Sequence, residues 1–207
     1  AVQAGVYGVT RNGPAYLAGA AAFTQHWMET ARTALLGDRL EARFDAQSYG
    51  ARLEGGWRLV TALGGVSPYA AVQAQAFRTP LYAETDLTGQ GFGLAYAGRT
   101  ASAVRSELGA RFDHLVPWSG VAQVALQARA AWAHDWTSTP ALTAAFQALP
   151  GANFVVTGAL PVRDVALASA GVELRFASGW SLAARFDGEY ANGGQTYAGT
   201  GTLRYAW

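Results

Sequence analysis

The residues able to do chemistry are few in this chain, and their spacing does not assemble an active site. His134 and Asp135 are neighbours, but successive side chains of a strand point to opposite faces, so they do not form a catalytic dyad. His26 and His114 lack the His-x-His or Glu-x-x-His spacing of a metal site. No Gly-x-Ser-x-Gly elbow, phosphate loop or dinucleotide fingerprint occurs. We therefore predict that the protein is not an enzyme and uses neither a metal nor a cofactor.

One glycine-rich stretch, Gly89-Gln-Gly-Phe-Gly93, superficially resembles a phosphate-binding loop. Its glycines alternate with Gln90 and Phe92, and the alternation continues through Tyr96. Such alternation is typical of a strand with one face of small residues. We therefore interpret 89–98 as a strand.

The elements that must position any functional residue are alternating segments between turn signals. An Asn-Gly pair in 11–14 and glycine pairs in 62–65 and 192–194 mark turns between them. The pattern predicts eleven strands, at about 2–10, 15–31, 43–60, 66–78, 89–98, 102–114, 120–135, 141–158, 164–176, 180–191 and 196–207.

Apolar and charged residues occupy opposite faces of these strands. In 102–113 most even positions are apolar, whereas the odd positions carry Arg105, Glu107 and Arg111. In a soluble sandwich the apolar face would form the core. In a membrane barrel the apolar face meets lipid and the charges line the lumen.

Three features favour the membrane barrel. Many predicted strands run about 10–17 residues, longer than the usual ~5–6 and long enough for a tilted span. Tryptophans and tyrosines lie near strand ends, where interfacial girdles require them. The charges are mixed in sign, which suits a narrow lumen because an unpaired charge is costly there. We therefore predict an all-β fold, an antiparallel transmembrane β-barrel.

The composition is consistent with this fold class. The 207 residues suffice for one all-β domain, and no run approaches the ~18 uninterrupted apolar residues of a transmembrane helix. The net charge is +1, which argues against a nucleic-acid partner. Cysteine is absent, so disulfide chemistry is unavailable.

A series of stretches follows one another along the chain in a recognisable order. They are Phe44–Trp57, Val66–Gln73, Leu81–Glu84, Val104–Arg111, Ala131–Asp135, Phe154–Gly158 and the closing aromatic strand. Their ordered succession, rather than any single stretch, resembles the C-terminal translocator domain of classical autotransporters, the type V secretion proteins of Gram-negative bacteria.

The predicted strand count bears on the extent of the domain. Single-chain bacterial barrels have even strand counts, and residues 1–7 already have a strand pattern. We expect residues 1–207 to form the translocator domain of a twelve-stranded barrel with its first strand upstream. The resemblance also implies an upstream linker helix that threads the lumen.

The resemblance implies a translocator that carries an N-terminal passenger across the bacterial outer membrane, driven by folding rather than by ATP. The expected partners are outer-membrane lipid, the protein's own passenger and linker helix, and the barrel-assembly machinery. We expect a monomer. The alternative is an outer-membrane barrel enzyme or a small porin without a passenger.

Two sets of candidate functional residues follow. The first faces the lumen and is expected to contact the passenger segment, to position an upstream cleavage site or simply to brace a hydrated interior: Arg52, Glu54, Arg58, Arg105, Glu107, Arg111, Arg129, Glu173 and Arg185. The second, on the terminal strand, is expected to be read by the assembly machinery: Leu203, Tyr205 and Trp207.

The membrane topology follows if the C-terminus lies in the periplasm. The turns at 11–14, 61–65 and 177–179 are then expected to be periplasmic. The segments 32–42 and 79–88 are expected to be extracellular.

Overall fold

The computed structural model describes residues 1–137, 141–149, 151–158 and 162–207. Within these residues the chain forms fifteen strands and one 3₁₀ turn, Leu35–Gly37. Among them no helix is long and apolar enough to cross a membrane. The strands are β1 (Val2–Asn12), β2 (Ala15–Thr33), β3 (Arg39–Trp57), β4 (Leu59–Thr61), β5 (Gly64–Thr79), β6 (Tyr82–Ala83), β7 (Thr85–Asp86), β8 (Leu94–Tyr96), β9 (Arg99–Ser119), β10 (Ala122–Asp135), β11 (Ala141–Phe146), β12 (Asn153–Thr157), β13 (Asp164–Phe176), β14 (Trp180–Ala191) and β15 (Gly194–Tyr205).

Nine long strands form one antiparallel sheet that curls into a half-barrel. Their order is β1-β2-β3-β5-β9-β10-β13-β14-β15, and the short β4 and β7 pair with β5 and β3. The ladders are long, and that of β2 with β3 runs without interruption from Ala15↔Trp57 to Thr33↔Arg39. The predicted all-β, antiparallel barrel architecture is confirmed, and the twelve-strand count stays a prediction.

The two ends of this sheet differ in the length of their connections. At one end, which we call the short-turn end, the links 12–15, 119–122 and 176–180 are tight. At the opposite end, the long-loop end, the connections 79–99 and 135–164 are extended. Short turns on one side and long loops on the other are typical of outer-membrane barrels.

The two faces of the sheet differ in exposure as well as in composition. On the outer face large apolar side chains remain exposed, including Leu108 (56%) and Leu182 (50%). On the inner face, which we call the lumen face, Glu54 and Glu107 are only 7% and 3% exposed. A soluble sandwich would cover the apolar face and leave the charged one in water. The observed arrangement is instead that of a barrel immersed in lipid.

The predicted strand 89–98 is wrong, because a side chain builds a turn there. The Asp86 carboxylate accepts hydrogen bonds from the backbone N–H groups of Thr88 (3.0 Å), Gly89 (2.6 Å) and Gly91 (2.8 Å). Both glycines have positive φ (76° and 82°), a conformation that glycine adopts readily and that interrupts an extended strand. Only the short β8 forms within this segment.

The predicted single strand 141–158 is also wrong, since the segment forms the hairpin of β11 and β12. At its turn the N–H of Leu149 donates to the carbonyl of Phe146 (3.4 Å), and the N–H of Ala152 donates to that of Leu149 (3.1 Å). Pro150, inside the predicted strand, lies outside the described residues. With β8 and β6 this hairpin forms a second sheet, in the order β12-β11-β8-β6, which we call the loop sheet.

Candidate functional site

The lumen face carries a network of charged side chains that neighbouring strands bring together. Strand alternation places all of its members on the same face. Between Glu54 and Glu107 the ladders place Ala71, whose small side chain leaves room for the guanidinium groups. The network consists of Arg52 and Glu54 of β3, Glu107 and Arg111 of β9, and Arg129 of β10.

Glu54 forms the centre of one half of this network. Its carboxylate accepts hydrogen bonds from Arg52 (2.9 Å), from the hydroxyl of Tyr16 (3.0 Å) and from both terminal nitrogens of Arg111, one of them at 2.7 Å. Hydrogen bonds between charged groups are stronger than neutral ones. Glu54 therefore joins β2, β3 and β9 through its side chain, beyond the backbone ladder.

Glu107 forms the centre of the other half. Its carboxylate accepts hydrogen bonds from Arg52 (2.9 Å), from Arg129 and from the hydroxyl of Tyr69. That hydroxyl in turn accepts a hydrogen bond from Nε of Arg129 (2.6 Å). Arg52 thus bridges the two glutamates, and the two halves become one network across five strands.

Two glycines make room for the tyrosine rings of the network. A Cβ on Gly56 would lie 2.5 Å from the Tyr16 ring. A Cβ on Gly109 would lie 2.5 Å from the Cβ of Ala131 and 2.9 Å from the Tyr69 hydroxyl. The Tyr69 ring lies beneath the Arg111 guanidinium, 4.2 Å from the ring centroid, a favourable cation–π geometry. Glycine at these two positions therefore permits the aromatic part of the network.

The other predicted lumen residues form separate ion pairs. Arg105 binds Asp135 (2.8 and 2.7 Å) and Glu189 (3.2 Å). Arg58 pairs with Asp113, Arg185 with Asp187 (2.7 to 3.0 Å) and Glu173 with Arg175 (2.7 Å). Of the nine predicted residues, five thus meet in one network and four lie in smaller pairs.

Sequence reasoning missed the two tyrosines of the network. Tyr16 shares the face of Ala18, opposite the apolar Leu17, so its strand parity was an available signal. Tyr69 lies opposite Gly109 in the ladder, and this pairing shows only once the register of β5 and β9 is known.

A cavity of about 1000 Å³ opens along the lumen face toward the short-turn end. Its charged lining is unequal in sign, with five arginines and two acidic residues. These are Arg11, Arg58, Arg111, Arg129 and Arg185, with Glu54 and Asp113.

A second ionic contact, at the long-loop end, ties the connection 79–99 to the wall. Glu84 accepts two hydrogen bonds from Arg32 (both 2.6 Å) and one from the N–H of Leu94 (2.9 Å). Burial raises the pKa of Glu84, but these donors outweigh it and hold the pKa below its ordinary value. Glu84 is therefore an ionised anchor for the loop sheet.

The same loop folds inward over the mouth of the lumen. Phe44, on the lumen face of β3, stacks on Tyr82 with ring centroids 4.0 Å apart, and Tyr82 stacks on Tyr96 at 4.6 Å. Arg32, which holds Glu84, also faces the lumen from β2. The loop sheet thus covers part of the opening at the long-loop end.

The terminal-strand residues lie on the outer face at the short-turn end. Leu203 is opposite Leu182, and the Tyr205 ring packs 4.8 Å from that of Trp180. Trp207 follows β15 and is fully exposed.

The histidines take part in pairwise contacts. His134 faces outward and contacts Asp164 (2.9 Å), whereas Asp135 faces the lumen and binds Arg105. The two neighbours are thus on opposite faces, as predicted. His26 contacts Ser48 (3.0 Å). In the part of the chain that the structure describes, no three His, Cys, Asp or Glu side chains group as a metal site would require.

A protein-family model matches most of the chain. The family model described as Autotransporter beta-domain matches residues 1–187. No curated protein matches the chain.

Proposed function

Because the chain belongs to the autotransporter β-domain family, whose members are outer-membrane β-barrels, we propose that it translocates an N-terminal passenger across the bacterial outer membrane. The observation that carries this proposal is the combination of an exposed apolar outer face with a buried, ion-paired lumen face. Such a wall is stable in lipid and offers a polar path through it.

The mechanism needs no catalytic residue. The strands satisfy one another's backbone groups, which a bilayer requires, and the lumen arginines and carboxylates supply a hydrated surface for a passing segment. The passenger's linker helix occupies that lumen, and folding of the barrel and of the passenger outside provides the drive. The barrel acts as a monomer and without a cofactor.

The orientation follows from the two ends of the sheet. The short-turn end, with 11–14, 61–65 and 177–179, faces the periplasm. The long-loop end, with 32–42 and 79–88, faces the medium, so the loop sheet lies where the passenger emerges. The terminal residues Leu203, Tyr205 and Trp207 then lie at the periplasmic edge, where the assembly machinery reads them.

The test is surface display of the passenger by the full-length protein in a Gram-negative host. An epitope in the passenger is expected to be accessible to antibody and protease on intact cells. Deletion of the segment 1–207 is expected to leave the passenger in the periplasm. If the full-length protein conducts ions but exposes no passenger, the porin alternative replaces this proposal. If it modifies an outer-membrane substrate instead, the enzyme alternative does.

A further inference from the structure

We infer that the short-turn half of the lumen is a binding site for carboxylates, and that the segment held there presents an acidic face to the arginines of the wall. The inference rests on the proposed function and specifies the chemistry of the segment that the barrel accommodates. The charges of the lumen wall carry it.

This half of the lumen remains positively charged when the acidic partners of its arginines are counted. The five arginines of the lining are joined by Arg52, which shares Glu54 and Glu107 with them. The acidic partners are Glu54, Glu107, Asp113 and Asp187. Six arginines therefore face four carboxylates, which leaves two positive charges in this part of the wall.

The excess is located on particular residues. Arg11 lines the cavity from β1 and joins no acidic residue among the described ion pairs. Arg129 and Arg111 lie directly opposite each other on β10 and β9, an arrangement of like charges that is unfavourable unless anions separate them. Within the part of the chain that the structure describes, two glutamates serve these two arginines and Arg52. A further carboxylate from the lumen would complete the pairing.

The opposite half of the lumen carries no such excess of arginine. Near the long-loop end, the lumen-facing Arg32, Arg99 and Arg105 are matched by Glu84, Asp135 and Glu189. The positive excess of the wall therefore lies toward the short turns. Within low-dielectric walls such fields are focused rather than screened.

This gradient matches the dipole of a helix that enters from outside and ends at the periplasm. The C-terminus of an α-helix carries about half a negative charge and its N-terminus about half a positive one. A linker between an external passenger and the barrel would place its C-terminal end among the arginines. Carboxylates on its last turns would add to the match, and a basic stripe there would oppose it.

The sharpest test is a charge reversal with a matched control in the full-length protein. Arg185 and Arg175 each pair with an acidic residue two positions away, and their side chains are 51% and 52% exposed. Arg185 lines the cavity, whereas Arg175 does not. We expect Arg185→Glu to reduce surface display of the passenger about fivefold, equivalent to about 1 kcal/mol. We expect Arg175→Glu to change it less than twofold.

A compensating change distinguishes complementarity from damage to the fold. Replacing an Asp or Glu of the linker by Lys is expected to restore surface display of the passenger in the Arg185→Glu protein. The same replacement is expected to reduce display in the wild-type protein. The inference would be overturned if the two charge reversals reduced surface display equally, or if no Lys substitution in the linker restored display in the Arg185→Glu protein. A linker without acidic residues would overturn it as well. Absence of the passenger from the wild-type cell surface would instead reject the proposed function.

Ion selectivity provides a measurement that does not depend on the passenger. In planar bilayers with a tenfold KCl gradient, the full-length protein is expected to conduct anions in preference to cations. Arg11→Gln removes one charge from the exposed strand β1 and spares the ionic network, so it is expected to shift the reversal potential toward that of an unselective pore. Cation preference in the wild-type protein, or an unchanged potential in Arg11→Gln, would contradict the inference.

Discussion

Glu107 in the wall and Glu84 in the loop are buried to a similar degree, but the elements that hold them differ. Both carboxylates are nearly buried, at 3% and 6% exposure, and both bind arginine. Glu107 is held by strands whose ladders fix its partners from three directions. Glu84 lies in a connection between strands and is held by Arg32 of β2, whose side chain is 37% exposed.

Because of this difference, loss of the negative charge of Glu107 and loss of that of Glu84 should affect different parts of the molecule. Without Glu107, Arg129 would lose its carboxylate partner while confined by the strands, and Arg52 would be left with Glu54. Without Glu84, Arg32 would be able to turn toward water. The wall network should therefore contribute to the stability of the whole barrel, and the loop contact to the order of the loop sheet alone.

The largest expected effect tests this difference directly. Glu107→Gln should destabilise the barrel by about 3–5 kcal/mol, because removing one partner of a buried ion pair leaves the other uncompensated. Glu84→Gln should cost about 1–2 kcal/mol, confined to the loop. Heat-resistant migration on gels measures the first, and protease sensitivity of 79–99 measures the second. An equal drop in the unfolding temperature of the two variants would remove the distinction.

The next effect concerns the two faces of a single strand in the wall. Leu126→Arg should destabilise the barrel by about 2–4 kcal/mol, because an arginine on the lipid face is costly near the middle of the membrane. Gln127→Arg, one residue along, projects into the hydrated cavity and should cost far less. Temperatures of unfolding in detergent and in lipid vesicles compare the two. Equal values would contradict the assigned faces.

The wall was largely predictable from the sequence because apolar and polar residues alternate along its strands. Side chains at every second position share a face, so Arg52, Glu54 and Glu107 were assigned to the lumen before any ladder was known. The partner of each charge was not predictable. The contact between Glu54 and Arg111 spans 57 residues and depends on the register of three strands, β3, β5 and β9.

The loop sheet was not predictable from the alternation of residue types, because a side chain interrupts one strand pattern and distant segments pair. The alternation through 89–98 is that of a strand, but the Asp86 carboxylate competes for the backbone N–H groups and builds a turn. The register of β8 with β11 joins two distant connections. Neither feature leaves a repeat in the sequence.

A pH titration should separate the loop from the wall further. Because the pKa of Glu84 is lowered in the folded loop, its contribution to loop stability is fully present above the ordinary value of about 4.5. That contribution is lost as pH falls through the lowered pKa. Amide hydrogen exchange in 84–97, corrected for its intrinsic rate, should be constant from about pH 8 to 5 and rise below about 4.5. In Glu84→Gln it should be faster and nearly independent of pH. A rise that persists in that variant would assign the titration to another group.

The smallest expected effect on stability belongs to Trp207, which extends from the wall without being supported by it. Its side chain is fully exposed and its ring is 6.5 Å from that of Tyr205, so little packing is lost when it is removed. An indole at this edge suits the membrane interface, where its ring meets acyl chains and its N–H meets headgroups.

If the assembly machinery reads this edge, loss of Trp207 should slow assembly before it lowers stability. Trp207→Ala in the full-length protein should therefore reduce outer-membrane insertion and increase periplasmic degradation products, while the inserted molecules unfold within a few degrees of the wild type. Trp118→Ala, which removes an exposed outer-face tryptophan of β9 at the same end of the sheet, serves as the control and should insert normally. Wild-type insertion of Trp207→Ala would leave this residue a structural role only, and a large drop in unfolding temperature would show that the terminal strand is supported by packing after all.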